Sequence, residues 1–87
     1  MNLRHFDIDR IYDLYSAMDR HQRKRVIERL RTKGIDLLDI QCYVYKEAPG
    51  IKHLFFQFRD KSEAIPYFML NEEQLSTIQE VIDSISR

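Results

Sequence analysis

The first third of the chain repeats apolar residues with the period of an α-helix. One face of this predicted helix carries apolar side chains at i, i+3, i+4 and i+7, namely Ile11, Leu14, Tyr15 and Met18. Asp7 or Asp9 is suited to cap the start of this helix, because an aspartate oxygen accepts hydrogen bonds from the first free backbone N–H groups.

The next apolar group points in another direction. Val26, Ile27 and Leu30 lie about 110° away from the first stripe on a helical wheel. One straight helix would expose them and forfeit about 1.5–3 kcal/mol for each side chain. Starting a new helix beside several cations costs only about 0.3–1 kcal/mol per charge. The sequence therefore predicts a break near Met18–Arg20.

The second helix is predicted over residues 20–33. Asp19 is its N-cap, and Gln22 completes a capping box three residues later. Gly34 follows a last turn that contains Arg31 and Lys33, which is the pattern of a helix stop.

The period then changes from helical to alternating. Residues 37–46, LLDIQCYVYK, predict a strand, and residues 51–59, IKHLFFQFR, predict its hairpin partner. The turn EAPG between them has a proline that fixes φ and a glycine free to take a positive φ. After the turn DKSE, residues 65–70 predict a third strand, with Pro66 tolerated at its start or on an edge.

Alternation assigns the strand residues to two faces. The face predicted to meet the helices carries Leu38, Ile40, Cys42, Val44, Leu54, Phe56 and Phe58. The other face carries Tyr43, Tyr45, His53, Phe55, Gln57 and Arg59, joined by Tyr67 and Met69 where the third strand keeps register. A solvated antiparallel face is usually more polar than this second set. Either helices cover both faces, or the aromatic face is a protein interface.

The chain closes with the best-defined element. Asn71 is an N-cap with Gln74 at the capping-box position, and Leu70 is placed to pack on Leu75. The apolar face of this helix comprises Leu75, Ile78, Val81, Ile82 and Ile85. We therefore predict a single small α+β domain over residues 1–87, with two N-terminal helices, a three-stranded antiparallel β-meander and a C-terminal helix (α-α-β-β-β-α).

Charge is balanced overall but unevenly distributed. Fourteen Lys and Arg residues match fourteen Asp and Glu residues, yet residues 1–33 carry +4 and residues 34–87 carry −4. A chain of 87 residues buries only about 60–65% of its unfolded surface, so its stability is modest. The modest stability and the balanced charge both favour self-association. A neutral chain in particular has little long-range repulsion between copies.

The basic stretch 19–31, DRHQRKRVIERLR, is the main candidate for a charged binding surface. Its cations surround the apolar stripe on a helical wheel: Arg20, Arg23, Lys24, Arg25, Arg29 and Arg31. Asp19–Arg23 and Lys24–Glu28 have the spacing of helical ion pairs. Three interpretations remain open: a solvated helix face whose side-chain stems cover the core edge, a phosphate-binding surface, and a dock for an acidic partner.

The sequence contains no recognisable catalytic, metal or cofactor motif. Cys42 is the only cysteine, which excludes an internal disulfide and a cysteine-based metal site. His5, His21 and His53 lack ligand spacing, and there is no glycine-rich phosphate loop. The start, MNLRHFDIDR, lacks the apolar core of a signal peptide, and no run is long enough for a membrane span. We therefore expect a cytoplasmic, non-enzymatic protein without cofactor, metal or membrane.

Two stretches resemble known RNA-directed families. IKHLFFQF is similar to the aromatic strand of RNA-recognition domains, which implies base stacking on His53 and Phe55. The chain has no predicted strand ahead of its first helix and no glycine in this strand, so that assignment is not carried over. MDRHQRKRVIERL leading into a meander resembles RelE-type toxins, which are small ribonucleases. The opening strand and basic strand end of that fold are not evident, so its catalytic residues have no counterparts here.

Three functional hypotheses follow from these patterns. The leading one is a regulatory protein-interaction module, self-associating as a homodimer or binding a protein partner. Its interface would be a helix face or the aromatic sheet face, with the six residues Tyr43, Tyr45, His53, Phe55, Arg59 and Tyr67. The second is a nucleic-acid-binding protein that uses the basic helix 20–33. The third is a RelE-like ribonuclease.

Overall fold

A computed structural model describes residues 6–87 and shows the element order α-α-β-β-β-α. The predicted α+β class is therefore confirmed. The elements in chain order are α1 (Ile8–Ser16), α2 (Arg20–Thr32), β1 (Leu37–Val44), β2 (Lys52–Phe58), β3 (Ile65–Pro66), a 3-10 turn (Tyr67–Met69) and α3 (Glu72–Ser86). Within this described part of the chain, every helix is too short or too polar to cross a membrane.

The predicted break between the first two helices is present. Asp7 caps α1 by accepting a hydrogen bond from the backbone N–H of Arg10. At the start of α2, Asp19 Oδ1 accepts from the Gln22 N–H at 2.8 Å, and the Gln22 side chain accepts from the Asp19 N–H at 3.1 Å. This reciprocal capping box fixes the corner that turns both apolar stripes toward one core.

A Schellman motif ends α2 and directs the chain into β1. Gly34 has φ of +90°, and its N–H donates to the Arg31 carbonyl at 3.1 Å. The Ile35 N–H donates to the Leu30 carbonyl at 3.0 Å, and both side chains are buried in the core. The motif satisfies two carbonyls of the last turn and joins its two flanking apolar residues.

The three strands form an antiparallel sheet in the order β1-β2-β3. Its register shifts between Leu37 and Asp39, where β1 carries a bulge. The bulge moves Leu37 into the core, fully buried, and leaves Leu38 50% exposed. Leu38 therefore lines a cavity with Met18 and Ile27 but does not enter the core as predicted, because the extra residue gives the core position to Leu37.

The third strand is much shorter than predicted. Only Ile65 and Pro66 pair with β2, and residues 67–69 form the 3-10 turn instead of continuing to residue 70. Proline has no backbone N–H to donate to the ladder, so pairing stops at Pro66.

All three helices pack on one side of the sheet. α1 contacts β2, α2 contacts β1, and α3 packs against both α1 and α2. Every helix contributes to the same buried cluster as the inner-face residues Ile40, Leu54 and Phe56. Two of these, Leu54 and Phe56, have no exposed surface. Within residues 6–87, the opposite face of the sheet is left without a helical cover.

Polar contacts tie α1 to α3 at the edge of this core. Gln79 is 5% exposed, and its side-chain oxygen accepts a hydrogen bond from the Asp7 N–H at 2.9 Å. Arg10 forms an ion pair with Asp83, which raises the pKa of the guanidinium. Because the Gln79 contact is buried and hydrogen-bonded, it fixes where the N-terminus of α1 meets α3.

We expect Gly34→Ala to lower the free energy of unfolding by about 1–2 kcal/mol, because alanine resists a positive φ. Gly50→Ala is the matched control. Contrary to the sequence-based expectation, Gly50 does not take a positive φ, and a Cβ there has open space. That variant should be neutral or stabilising by up to about 1 kcal/mol. Urea unfolding measures both, and equal losses for the two variants would contradict the Schellman assignment.

Candidate functional site

The uncovered side of the sheet carries a continuous cluster of rings, here called the ring cluster. Its members are Tyr43, Tyr45, His53, Phe55, Tyr67 and Phe68. Tyr45 and Tyr43 meet edge to face at 5.2 Å between ring centroids, and Tyr45 meets His53 at 5.1 Å. These separations are typical of favourable aromatic pairs. The cluster therefore forms one apolar surface instead of scattered exposed rings.

Antiparallel pairing is what brings these rings together. Tyr43 lies opposite His53, and Gln41 lies opposite Phe55, so alternate residues of β1 and β2 share the outer face. Tyr43 and Tyr45 remain 47% and 40% exposed, and Phe68 remains 62% exposed. Side chains this exposed and this apolar are more typical of an interface than of a solvated sheet.

A shallow cavity of about 430 Å³ lies at the β1 side of the ring cluster. It is lined by Gln41, Cys42, Tyr43, Tyr45 and Phe55. None of these residues, and no member of the ring cluster, is Lys, Arg, Asp or Glu. The aromatic part of the outer face therefore carries no Lys, Arg, Asp or Glu side chain.

His53 lies at the centre of the ring cluster. Its ring contacts those of Tyr45, Phe55, Tyr67 and Phe68, and its Nδ1 is buried without a hydrogen-bond partner. Leaving a buried polar atom unpaired costs about 1–3 kcal/mol. The histidine is therefore an unfavourable choice for packing alone.

The structure places two of the expected interface residues differently. Tyr67 reaches the ring cluster from the 3-10 turn and also contacts Phe6 at 5.7 Å. Arg59 does not lie on the outer face, because the chain turns after β2. Its Nε pairs with Asp36 Oδ1 at 3.0 Å, and it lines a cavity beside α2. The sequence also missed Phe68, whose ring joins the cluster only because β3 gives way to a 3-10 turn.

The basic residues of α2 lie on two sides of the helix. Arg20, Lys24 and Arg31 face the seam between α2 and the sheet, whereas Arg25 and Arg29 line neither cavity along that seam. Within residues 6–87, no carboxylate forms an ion pair with these five side chains. The predicted Lys24–Glu28 pair is thus not formed.

Arg23 is held by the corner between α1 and α2. Its guanidinium lies 4.9 Å from the Tyr15 ring centroid, and Nη2 donates to the Ser16 carbonyl at 3.0 Å. The predicted Asp19–Arg23 ion pair is not formed, because the Asp19 carboxylate caps α2 and Arg23 makes these contacts instead. The Arg23 Nε is buried without a partner. The side chain is therefore fixed in one position beside the seam.

Two adjoining cavities follow this seam. The larger, of about 650 Å³, is lined by Tyr15, Met18, Arg20, Arg23, Lys24, Ile27, Leu38 and Asp39. The smaller, of about 210 Å³, is lined by Lys24, Ile27, Glu28, Arg31 and Arg59. They share Lys24 and Ile27, so the two cavities adjoin, and together they are here called the α2 groove.

Among the described residues, the pKa values of Tyr15 and Cys42 are both shifted further above pH 7. Burial raises the pKa of Tyr15 to about 12, and burial also raises the pKa of the Cys42 thiol. A raised thiol pKa lowers the thiolate fraction that nucleophilic chemistry requires. Residues 6–87 contain no cluster of three His, Cys, Asp or Glu side chains able to hold a metal ion, and His5 lies outside this range.

We expect His53→Phe to raise the free energy of unfolding by about 1 kcal/mol, because phenylalanine keeps the ring contacts and removes the unpaired nitrogen. Chemical denaturation of the purified variant measures this change. His21→Phe, at an exposed position of α2, is the control and should stay within about 0.5 kcal/mol of the parent. A destabilised His53→Phe variant would mean that Nδ1 has a hydrogen-bond partner in solution.

Comparison with known proteins identifies no relative of this chain. No family model, no curated protein and no solved structure matches the chain. The RelE resemblance rests on element order, and residues 6–87 contain no strand ahead of α1. Element order alone does not carry function, so the ring cluster and the α2 groove are the features from which function has to be inferred.

Proposed function

We propose that this protein is a small interaction module whose partner is a second copy of the same chain. The two copies would pack through their outer faces. The observation that supports this most directly is the ring cluster, because it is apolar, partly exposed and free of charged side chains. Large exposed aromatic patches are typical of protein interfaces, where Tyr and Phe supply much of the contact area.

The absence of charge in the ring cluster favours a second copy over an unrelated protein. A two-fold interface brings the same surface together with itself, so a charged patch would bury like charges against each other. The polar groups of the ring cluster are its tyrosine hydroxyls and the His53 imidazole, and the Gln41 amide lines the cavity beside it; hydroxyl and amide groups can both donate and accept. The chain as a whole is neutral, which leaves little repulsion between copies.

The same surface is poorly suited to single-stranded nucleic acid. Stacking platforms of that kind combine exposed rings with a positively charged track for the phosphates. Here the rings lie on the outer face, whereas Arg20, Lys24 and Arg31 of α2 line the α2 groove. A base stacked on Tyr43 would have no Arg or Lys of the lining residues within its cavity.

The size of the outer face indicates a weak dimer. β1 has eight residues, which at about 3.4 Å each gives a length near 27 Å. Three elements at about 4.8 Å spacing give a width near 14 Å, so the footprint is roughly 400 Å². Stable complexes bury about 800 Å² per partner. We therefore expect dissociation constants in the micromolar range or weaker.

Sedimentation velocity over about 10–500 µM protein tests this proposal, because that range brackets a micromolar equilibrium. The parent chain should shift from monomer toward dimer with increasing concentration. Tyr43→Lys with Tyr45→Lys should remain monomeric, because each substitution places a charge against its own copy across the interface.

Leu38→Lys is the matched control. Leu38 is 50% exposed on the same strand, close to the 47% and 40% of the two tyrosines, but it lines the α2 groove instead of the outer face. This variant should dimerise like the parent. A parent that stays monomeric throughout, or a tyrosine variant that still dimerises, would overturn the proposal.

A further inference from the structure

We infer that the α2 groove is a binding site for single-stranded polynucleotide, a function separate from self-association through the outer face. The inference rests on three observations about these two adjoining cavities: their cations, their apolar floor and their combined length. None of the residues concerned belongs to the ring cluster, so the two functions stand or fall independently.

The groove has an excess of positive charge, with five cations against two carboxylates. Five cations line it: Arg20, Arg23, Lys24, Arg31 and Arg59. Two carboxylates, Asp39 and Glu28, also line it, and Arg59 is paired with Asp36. Within residues 6–87, Arg20, Lys24 and Arg31 have no ion-pair partner. Unpaired cations along one seam suit a run of phosphates, whose charge dominates nucleic-acid affinity.

The floor of the groove is apolar, and this favours a single strand over a duplex. Met18, Ile27 and Leu38 lie among the cations, and Leu38 is half exposed because the β1 bulge turns it outward. The Arg23 guanidinium lies over the Tyr15 ring and lines this groove, so a planar cation stands beside the apolar side chains, as in sites that bind unpaired bases. Bases of a duplex are already stacked within the helix and do not present their faces to such a floor.

The length of the groove sets the size of the site. Arg20 and Arg31 are eleven positions apart on α2, which at about 1.5 Å per residue spans roughly 16 Å. A stacked strand rises about 3.4 Å per nucleotide along its axis, so four or five stacked nucleotides cover that distance. This is at the low end of the roughly 4–16 nucleotides that single-strand-binding folds occupy.

The experiment is fluorescence anisotropy with labelled 12-nucleotide oligothymidylate and oligouridylate, and a duplex of equal length, at about 50 and 200 mM salt. Both single strands should bind more tightly than the duplex, with a slope of log K against log salt of about −2 to −3. Lys24→Gln with Arg31→Gln should weaken binding roughly tenfold or more at the lower salt and reduce the slope by about 1.4.

Arg25→Gln with Arg29→Gln is the matched control, because it removes two charges from the same helix but outside the groove. It should keep the affinity and slope of the parent. Lys24→Arg with Arg31→Lys retains both charges and should also bind. Equal losses in the two glutamine variants would show diffuse attraction and overturn the inference, as would preferred duplex binding or no binding of single strands.

Discussion

The fold depends on one constraint, the one-sided cover of a three-stranded sheet. Strands β1 and β2 present Ile40, Leu54 and Phe56 to a single apolar core, and all three helices are used to cover it. A small domain has a high ratio of surface to volume, so few of its elements are available for a second face. The capped corner at Asp19 and the turn at Gly34 serve this arrangement, because they return α2 across the same side. What is left, within residues 6–87, is an outer face whose rings pack on one another and, through Tyr67, on Phe6.

Local chemistry made most of the helical architecture predictable. Asp19 with Gln22, and Asn71 with Gln74, form the reciprocal capping boxes that their spacing indicates. Such contacts lie within one turn, so their geometry follows from neighbouring residues alone. Gln79 could not be identified in this way. Its side chain is buried only because α1 brings the Asp7 N–H to it from the other end of the chain.

The sheet was predictable where the period of two holds and unpredictable where it fails. Alternation placed Tyr43, Tyr45, His53 and Phe55 on one face, and the ring contacts join them there. Leu38 was assigned to the core because the chain offers two adjacent leucines, and the bulge selects the other one, Leu37, for the core. The predictions for the third strand and for the position of Arg59 are wrong for a related reason. Backbone pairing ends at Pro66 and Phe58, and beyond those points alternation carries no information about direction.

The ring cluster lies on the outer face of the sheet and the α2 groove lies between α2 and the β1 edge, and this determines whether the two proposed surfaces interact. Copies that pack outer face to outer face keep both α2 grooves at the outside of the pair, so dimerisation leaves nucleotide affinity nearly unchanged. Pairing of the β1 edges would have the opposite effect, since Leu38 and Asp39 lie on that strand and also line the groove. Linkage requires each equilibrium to change the other by the same factor. Independence of the two equilibria is therefore the thermodynamic signature of the face-to-face arrangement, and coupling would identify the edge of β1 as the contact.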